Sequence, residues 1–177
     1  MKKTLAAAGA VVLALGLSSC GGGGDDAAAS KSLSDSIMKS QNAGSGAASS
    51  LLDLKQKEAD CIGQGMVDKI GTDQLIQYKI LTKDNKASKD VTAAKMSKGD
   101  AATATDVLFG CTDVPGMMNK AMTSSGQVPK EMRACVTKAL NDSALRGMFT
   151  EVFAGNQDAA KQKLIQPMMK CAQPSAG

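Results

Sequence analysis

Lys57-Glu58-Ala59-Asp60-Cys61-Ile62-Gly63-Gln64-Gly65-Met66-Val67-Asp68-Lys69-Ile70-Gly71 is the stretch from which the fold can be read. Its apolar positions Ala59, Ile62, Met66 and Ile70 recur every three or four residues, the period of one helical face. The pattern stops at Gly71, a residue suited to a left-handed helix cap. Thr72 or Asp73 restarts a short helix carrying Leu75, Ile76 and Ile80. From Leu81 to Lys98 polar residues dominate, with Val91 and Met96 as the large apolar side chains, so a loop with some helical content is expected there.

The helical period returns downstream. Asp100 can cap a helix with Ala104, Val107, Leu108 and Cys111 on one face, and Asp113 or Pro115 opens another with Met118 and Met122. After the Ser124-Ser125-Gly126 turn, Pro129 suits a first helical position, followed by Met132, Val136 and Leu140 at i, i+4, i+8. Leu145, Phe149, Val152 and Phe153 form the next stripe, ending at Gly155. Leu164, Ile165, Met168 and Cys171 form the last, with Pro167 expected to kink or restart it. No sustained period-two alternation occurs, so the chain reads as all-α, with about six short helices.

Such a domain must be held together without large aromatic anchors, because the chain has no Trp, one Tyr (Tyr78) and three Phe (Phe109, Phe149, Phe153). Cysteines offer a substitute. Setting Cys20 aside for reasons given below, Cys61, Cys111, Cys135 and Cys171 make an even set, which in an exported chain reads as two disulfides. Lys57-Glu58-Ala59-Asp60-Cys61-Ile62 corresponds to Glu131-Met132-Arg133-Ala134-Cys135-Val136, and Val107-Leu108-Phe109-Gly110-Cys111 corresponds loosely to the Leu164 to Cys171 segment. Two unequal helical hairpins result, with Cys61 paired to Cys111 and Cys135 to Cys171. The alternative, Cys111 with Cys135 and Cys61 with Cys171, closes the domain end to end. Four-thiolate metal ligation fits poorly, since no pair has C-x-x-C spacing and histidine is absent.

The first twenty residues speak to location. Lys2 and Lys3 precede an apolar, alanine-rich run from Leu5 to Leu17, which is too short for a membrane span of about 20 apolar residues. The run ends in Leu17-Ser18-Ser19-Cys20, which resembles the bacterial lipobox. That resemblance implies cleavage before Cys20, acyl chains on Cys20 and anchorage on the extracytoplasmic face of the cell membrane, with two or more chains giving stable anchoring. Residues 1–19 are then a cleaved signal peptide. Residues 20–50, rich in Gly, Ser and Ala, read as the lipidated cysteine and a flexible tether, interrupted by a weak apolar patch at Leu33, Ile37 and Met38 whose alternative is a short helix docked on the domain. Residues 51–177 form one helical domain, the size of a single core.

Loss of Lys2 and Lys3 takes the formal charge from +4 to +2, and the remaining charges are interspersed in sign. Without clustered Lys and Arg or stacking aromatics, nucleic acid is not an expected partner. The lack of histidine removes the commonest general base and the usual partner of serine and cysteine nucleophiles. Carboxylates remain, Glu58, Asp60, Asp68, Glu131 and Glu151, but each lies among charges expected on solvated helix faces. Gly63-Gln64-Gly65 opens like a dinucleotide fingerprint and fails it, since position 68 is Asp and no strand precedes. Small residues there suit the close approach of a second helix. Asn141-Asp142-Ser143 is a formal glycosylation sequon with little meaning in a bacterial lipoprotein.

Methionine is the one excess: Met117, Met118, Met122, Met132, Met148, Met168 and Met169 concentrate in the second half. Thioethers can ligate Cu(I), can line a plastic apolar pocket, or can fill a core that lacks aromatics. Asp60-Cys61 followed by Val67-Asp68-Lys69-Ile70-Gly71-Thr72-Asp73-Gln74-Leu75 resembles a run in small four-cysteine helical lipoproteins of actinobacteria, a likeness that implies the fold alone. The expected function is that of a non-catalytic, lipid-anchored envelope protein with a protein partner or a structural role, needing no cofactor or metal. The second expectation is a carrier of an apolar small molecule in a Met- and Leu-lined pocket.

Overall fold

A computed structural model describes residues 23–43, 53–89, 94–124 and 128–172. The signal peptide and Cys20 lie outside the described residues. Among those described, eight α-helices occur where about six were expected: α1 Gly23–Asn42, α2 Gln56–Ile70, α3 Thr72–Gln77, α4 Lys98–Cys111, α5 Val114–Ser124, α6 Lys130–Ala139, α7 Asp142–Phe153 and α8 Gln157–Ala172. There is no β-strand among the described residues. The all-α class therefore holds, and the count differs chiefly because the segment expected to be a tether contains α1.

That tether expectation is corrected by contacts with specific causes. Ala29, Leu33 and Ser34 of α1 are buried, Ile37 packs against the core, and α1 lies along α2. Two small residues on α2 set the spacing of the layers on either side of it. A Cβ at Gly63 would lie 2.5 Å from the Ser30 carbonyl oxygen of α1, and one at Gly65 would lie 2.8 Å from Val107 Cγ1 of α4. Gly63 and Gly65 are thus the close-approach residues that their sequence context suggested, each serving a different neighbour.

The α1–α2 seam is also polar. The Ser34 hydroxyl donates to Asp60 Oδ1, and Gln56 Nε2 donates to both Ser34 Oγ (2.9 Å) and Asp60 Oδ1 (2.8 Å). Farther along, Thr72 Oγ1 donates to Asp26 Oδ1 at 2.6 Å. Hydrogen bonds from Ser34, then from Gln56, hold the Asp60 carboxyl below its ordinary value. A carboxyl depressed in the folded state stabilises above its unfolded pKa of about 3.9, and that contribution is lost as pH falls through the lower folded value. Acidification below about pH 4 is therefore expected to loosen α1 before the rest of the domain. Hydrogen exchange corrected for intrinsic rates checks this: α1 amides should lose protection first, and Ser34→Ala should flatten their pH response. An α1 that opens only together with α4 at every pH would contradict it.

The core beneath is aliphatic, with Leu75, Leu81, Val114, Val136 and Leu145 nearly inaccessible and Met66, Met96, Met118 and Met148 filling between them. The four buried methionines take the core-filling role that adaptable thioethers suit. Both disulfides join as the two-hairpin reading expected, Cys61–Cys111 and Cys135–Cys171, with Cα separations of 5.6 and 5.7 Å. The end-to-end alternative does not occur. Cys61–Cys111 ties α2 to α4, and Cys135–Cys171 ties α6 to α8.

Residues 81–89 and 94–97 are non-helical, as the loop reading expected, while 90–93 with Val91 lie outside the described residues. An isolated antiparallel bridge joins Leu81 and Ala87, and Met96 is buried with its N–H bonded to the Phe153 carbonyl. Ser97, not Asp100, caps α4 by accepting from the Asp100 N–H, while the Tyr78 hydroxyl donates to Asp100 Oδ2 at 2.5 Å. Helix α4 then meets α7 through the Phe109–Phe149 edge contact, with ring centroids 6.0 Å apart, and through Arg146. The Arg146 guanidinium lies 4.4 Å from the Phe109 ring centre and bonds Asp106 and Asp142. Asn141 caps α7 by accepting from the Ala144 N–H, a role that accounts for the sequon asparagine. Helix α8 runs through Pro167 without ending there.

Candidate functional site

Helices α6, α7 and α8 meet around the Cys135–Cys171 bridge and leave an open groove of about 540 Å³. Its floor comes from small residues, Ala139 of α6 with Ala144 and Gly147 of α7, together with Pro167 of α8 and the bridge itself. Large side chains at these points would fill the depression. Lys138, Lys163 and Lys170 stand on its walls. Gly147 borders one of them: a Cβ there would lie 3.4 Å from Lys163 Nζ, an ordinary contact.

The charges are unevenly compensated. Lys163 Nζ lies 3.9 Å from Glu151 Oε1, a distant ion pair, whereas Lys138 and Lys170 form no ion pair among the described residues. Asp142, the acidic residue beside the mouth in sequence, is engaged by Arg146 at 2.7 Å. The groove is therefore net positive above an apolar floor. On α8, Ile165 and Met169 sit one turn apart at 50% and 56% exposure, a short apolar ridge facing solvent.

A second depression, about 520 Å³, is lined by Ser30, Lys31, Asp35, Gln56, Asp60 and Gln64 along the α1–α2 seam. Its polar groups are largely engaged with one another: Lys31 Nζ bonds Asp35 at 2.9 Å, and Asp60 is occupied as described above. Glu58 accepts from the Lys55 N–H at the start of α2, and Glu151 accepts from Asn156 Nδ2. Glu131 stands exposed on α6, and Asp68 exposed on α2. The five candidate carboxylates are spread over α2, α6 and α7, and of the five only Asp60 lines either depression. Among the described residues no group of three His, Cys, Asp or Glu is placed to hold a metal ion, and no helix is long and apolar enough to cross a membrane.

No family model, curated protein or solved structure matches this chain. The site is therefore read from its own chemistry. Sequence reasoning passed over the three lysines because they are scattered along the chain. A signal existed nonetheless: Lys138 lies three residues after Cys135 and Lys170 one before Cys171, so the expected pairing of those cysteines brings both ammonium groups to one bridge.

Proposed function

We propose that this chain is a non-catalytic, lipid-anchored interaction protein displayed outside the cytoplasmic membrane and held there through Cys20. The observation that carries the reading is a disulfide-tied helical body with an aliphatic and methionine core and two exposed features: an open basic groove and the Ile165/Met169 ridge. A carrier would favour an enclosed apolar pocket, typically of about 300–1,000 Å³. Here Met66, Met96, Met118 and Met148 are spent on the core, and small residues and lysines line the groove instead. The two disulfide-tied helix pairs are further read as unequal copies of one hairpin, a duplication that would explain the matching runs at Cys61 and Cys135.

The anchoring part rests on Leu17-Ser18-Ser19-Cys20. Wild-type protein should partition into the detergent phase on phase separation, and Cys20→Ala should remain aqueous. Equal partitioning of the two would remove the anchor from this reading. The interaction part is tested by crosslinking on intact cells followed by mass spectrometry of the captured species. A reproducible protein partner supports it, and extraction of a stoichiometric apolar small molecule without a protein partner would replace it with a carrier.

A further inference from the structure

The α6–α7–α8 groove carries an excess of positive charge on a floor shaped for small apolar groups, and both features constrain what fits. Three lysines from two helices converge on it, two of them without an ion pair among the described residues. Three lysines lining one depression give it an excess of positive charge, which an anionic ligand would offset. Ala139, Ala144, Gly147 and Pro167 supply apolar contact but little depth. The opening faces solvent along its length, so an acyl chain would remain largely wet, whereas a peptide laid across it could seat small side chains and leave its outer face in water.

We propose that this groove binds an acidic peptide segment of a partner protein, its carboxylates paired with Lys138, Lys163 and Lys170 and its small apolar side chains resting on Ala139, Ala144 and Gly147. The proposal deepens the interaction reading and rests on it. Lys163 takes part by exchanging its distant contact with Glu151 for a closer carboxylate. Because the pairs are solvent-exposed, each contributes modestly, so binding depends on all three acting together and weakens with salt.

The test uses the full chain and a fluorescein-labelled twelve-residue peptide of alternating Glu and Ala, with an alternating Gln and Ala peptide as control. Fluorescence polarisation should show binding of the Glu peptide only, and the affinity should fall several-fold on raising salt from about 50 to 300 mM. Lys138→Gln/Lys163→Gln/Lys170→Gln should weaken it by about tenfold or more. All three lysines are exposed, and an unchanged melting temperature would show that the variant is folded. Ala144→Leu fills the floor without altering charge and should weaken binding several-fold at unchanged salt dependence. Equal binding by the triple variant, or equal binding of the Gln peptide, overturns the proposal. So does lysine-dependent binding to phosphatidylglycerol vesicles with none to the peptide, which would assign the groove to a lipid surface. On intact cells, loss of the crosslinked partner in the triple variant alone supports the proposal. The same partner captured by both proteins overturns the groove and leaves the interaction reading standing, whereas capture by neither counts against both.

Discussion

Gly63→Ala is expected to strip α1 from the domain while leaving α2 helical. The added methyl would have to occupy a point 2.5 Å from the Ser30 carbonyl oxygen and 3.2 Å from the Ser34 amide nitrogen, both backbone atoms that cannot rotate away. Overpacking of this kind costs about 1–3 kcal/mol, against a gain of up to about 1 kcal/mol from replacing glycine within a helix. The loss falls on one seam, so it should appear as local opening: α1 amides about tenfold or more less protected in hydrogen exchange, with α4 and α7 little changed. Gly65→Ala is the informative companion. There the methyl meets the side chain of Val107, 2.8 Å away, and a side chain can shift where a backbone cannot. Gly65→Ala should therefore leave α1 docked. An equal loss of α1 protection in the two variants, or in neither, would show that Gly63 does not set the α1–α2 distance.

Removing the second bridge is expected to have a larger effect. Cys135→Ser/Cys171→Ser opens a loop spanning 36 residues, for which chain entropy alone gives about 4 kcal/mol. Against a typical total of about 5–15 kcal/mol that is a large fraction. Its consequence depends on what else holds the two helices. Val136 is the buried residue of α6, and among the described side chains of α8 Ala160, near its start, is buried while Leu164 is partly buried against the core. The last turns of α8 therefore depend on the bridge. They should release in the double mutant, exposing Leu164, Met168 and the underside of α6, so the protein should bind a hydrophobic dye and be cleaved faster in α8. Cys61→Ser/Cys111→Ser opens a comparable loop, spanning 50 residues, yet α2 and α4 keep buried faces built from Ala59, Ile62, Met66 and Val67 against Ala101, Ala104, Val107 and Leu108. That mutant should lose similar global stability and gain less dye binding. A melting temperature within a few degrees of wild type for the Cys135/Cys171 variant, together with protease resistance, would mean that α8 packs adequately without its bridge.

These contrasts also explain how far the fold was legible in the sequence. Stripes such as Met132, Val136, Leu140 and Leu145, Phe149 were readable because large apolar side chains mark a face regardless of what covers it. The disulfide pairing followed because the runs around Cys61 and Cys135 repeat. Helix α1 was only half visible: Leu33 and Ile37 marked a weak patch, but the rest of its docked face is small and polar, with Ala29 and Ser34 buried as fully as any leucine and Ser34 dependent on Asp60 and Gln56. The loop after Leu81 was legible as a loop but not in how it is held, since its order comes from Met96 reaching Phe153 and from Tyr78 reaching Asp100, contacts between residues distant in sequence. The groove was the least visible part, being defined by the absence of large side chains at Ala139, Ala144 and Gly147 where three helices converge.

The start of α1 at Gly23 changes what the proposed anchor would do mechanically. A tether of about thirty Gly- and Ser-rich residues would let the body wander about 30 Å from its lipid. With α1 docked along α2, the distance between Cys20 and folded structure is three residues, a span of at most about 10 Å. If Cys20 carries lipid as proposed, a body on so short a leash would ride at the bilayer surface and turn with its anchor. Its search for a partner would then become lateral diffusion within a thin slab rather than sampling of a hemisphere above the membrane, which would favour partners whose acidic segments lie equally close to the lipid.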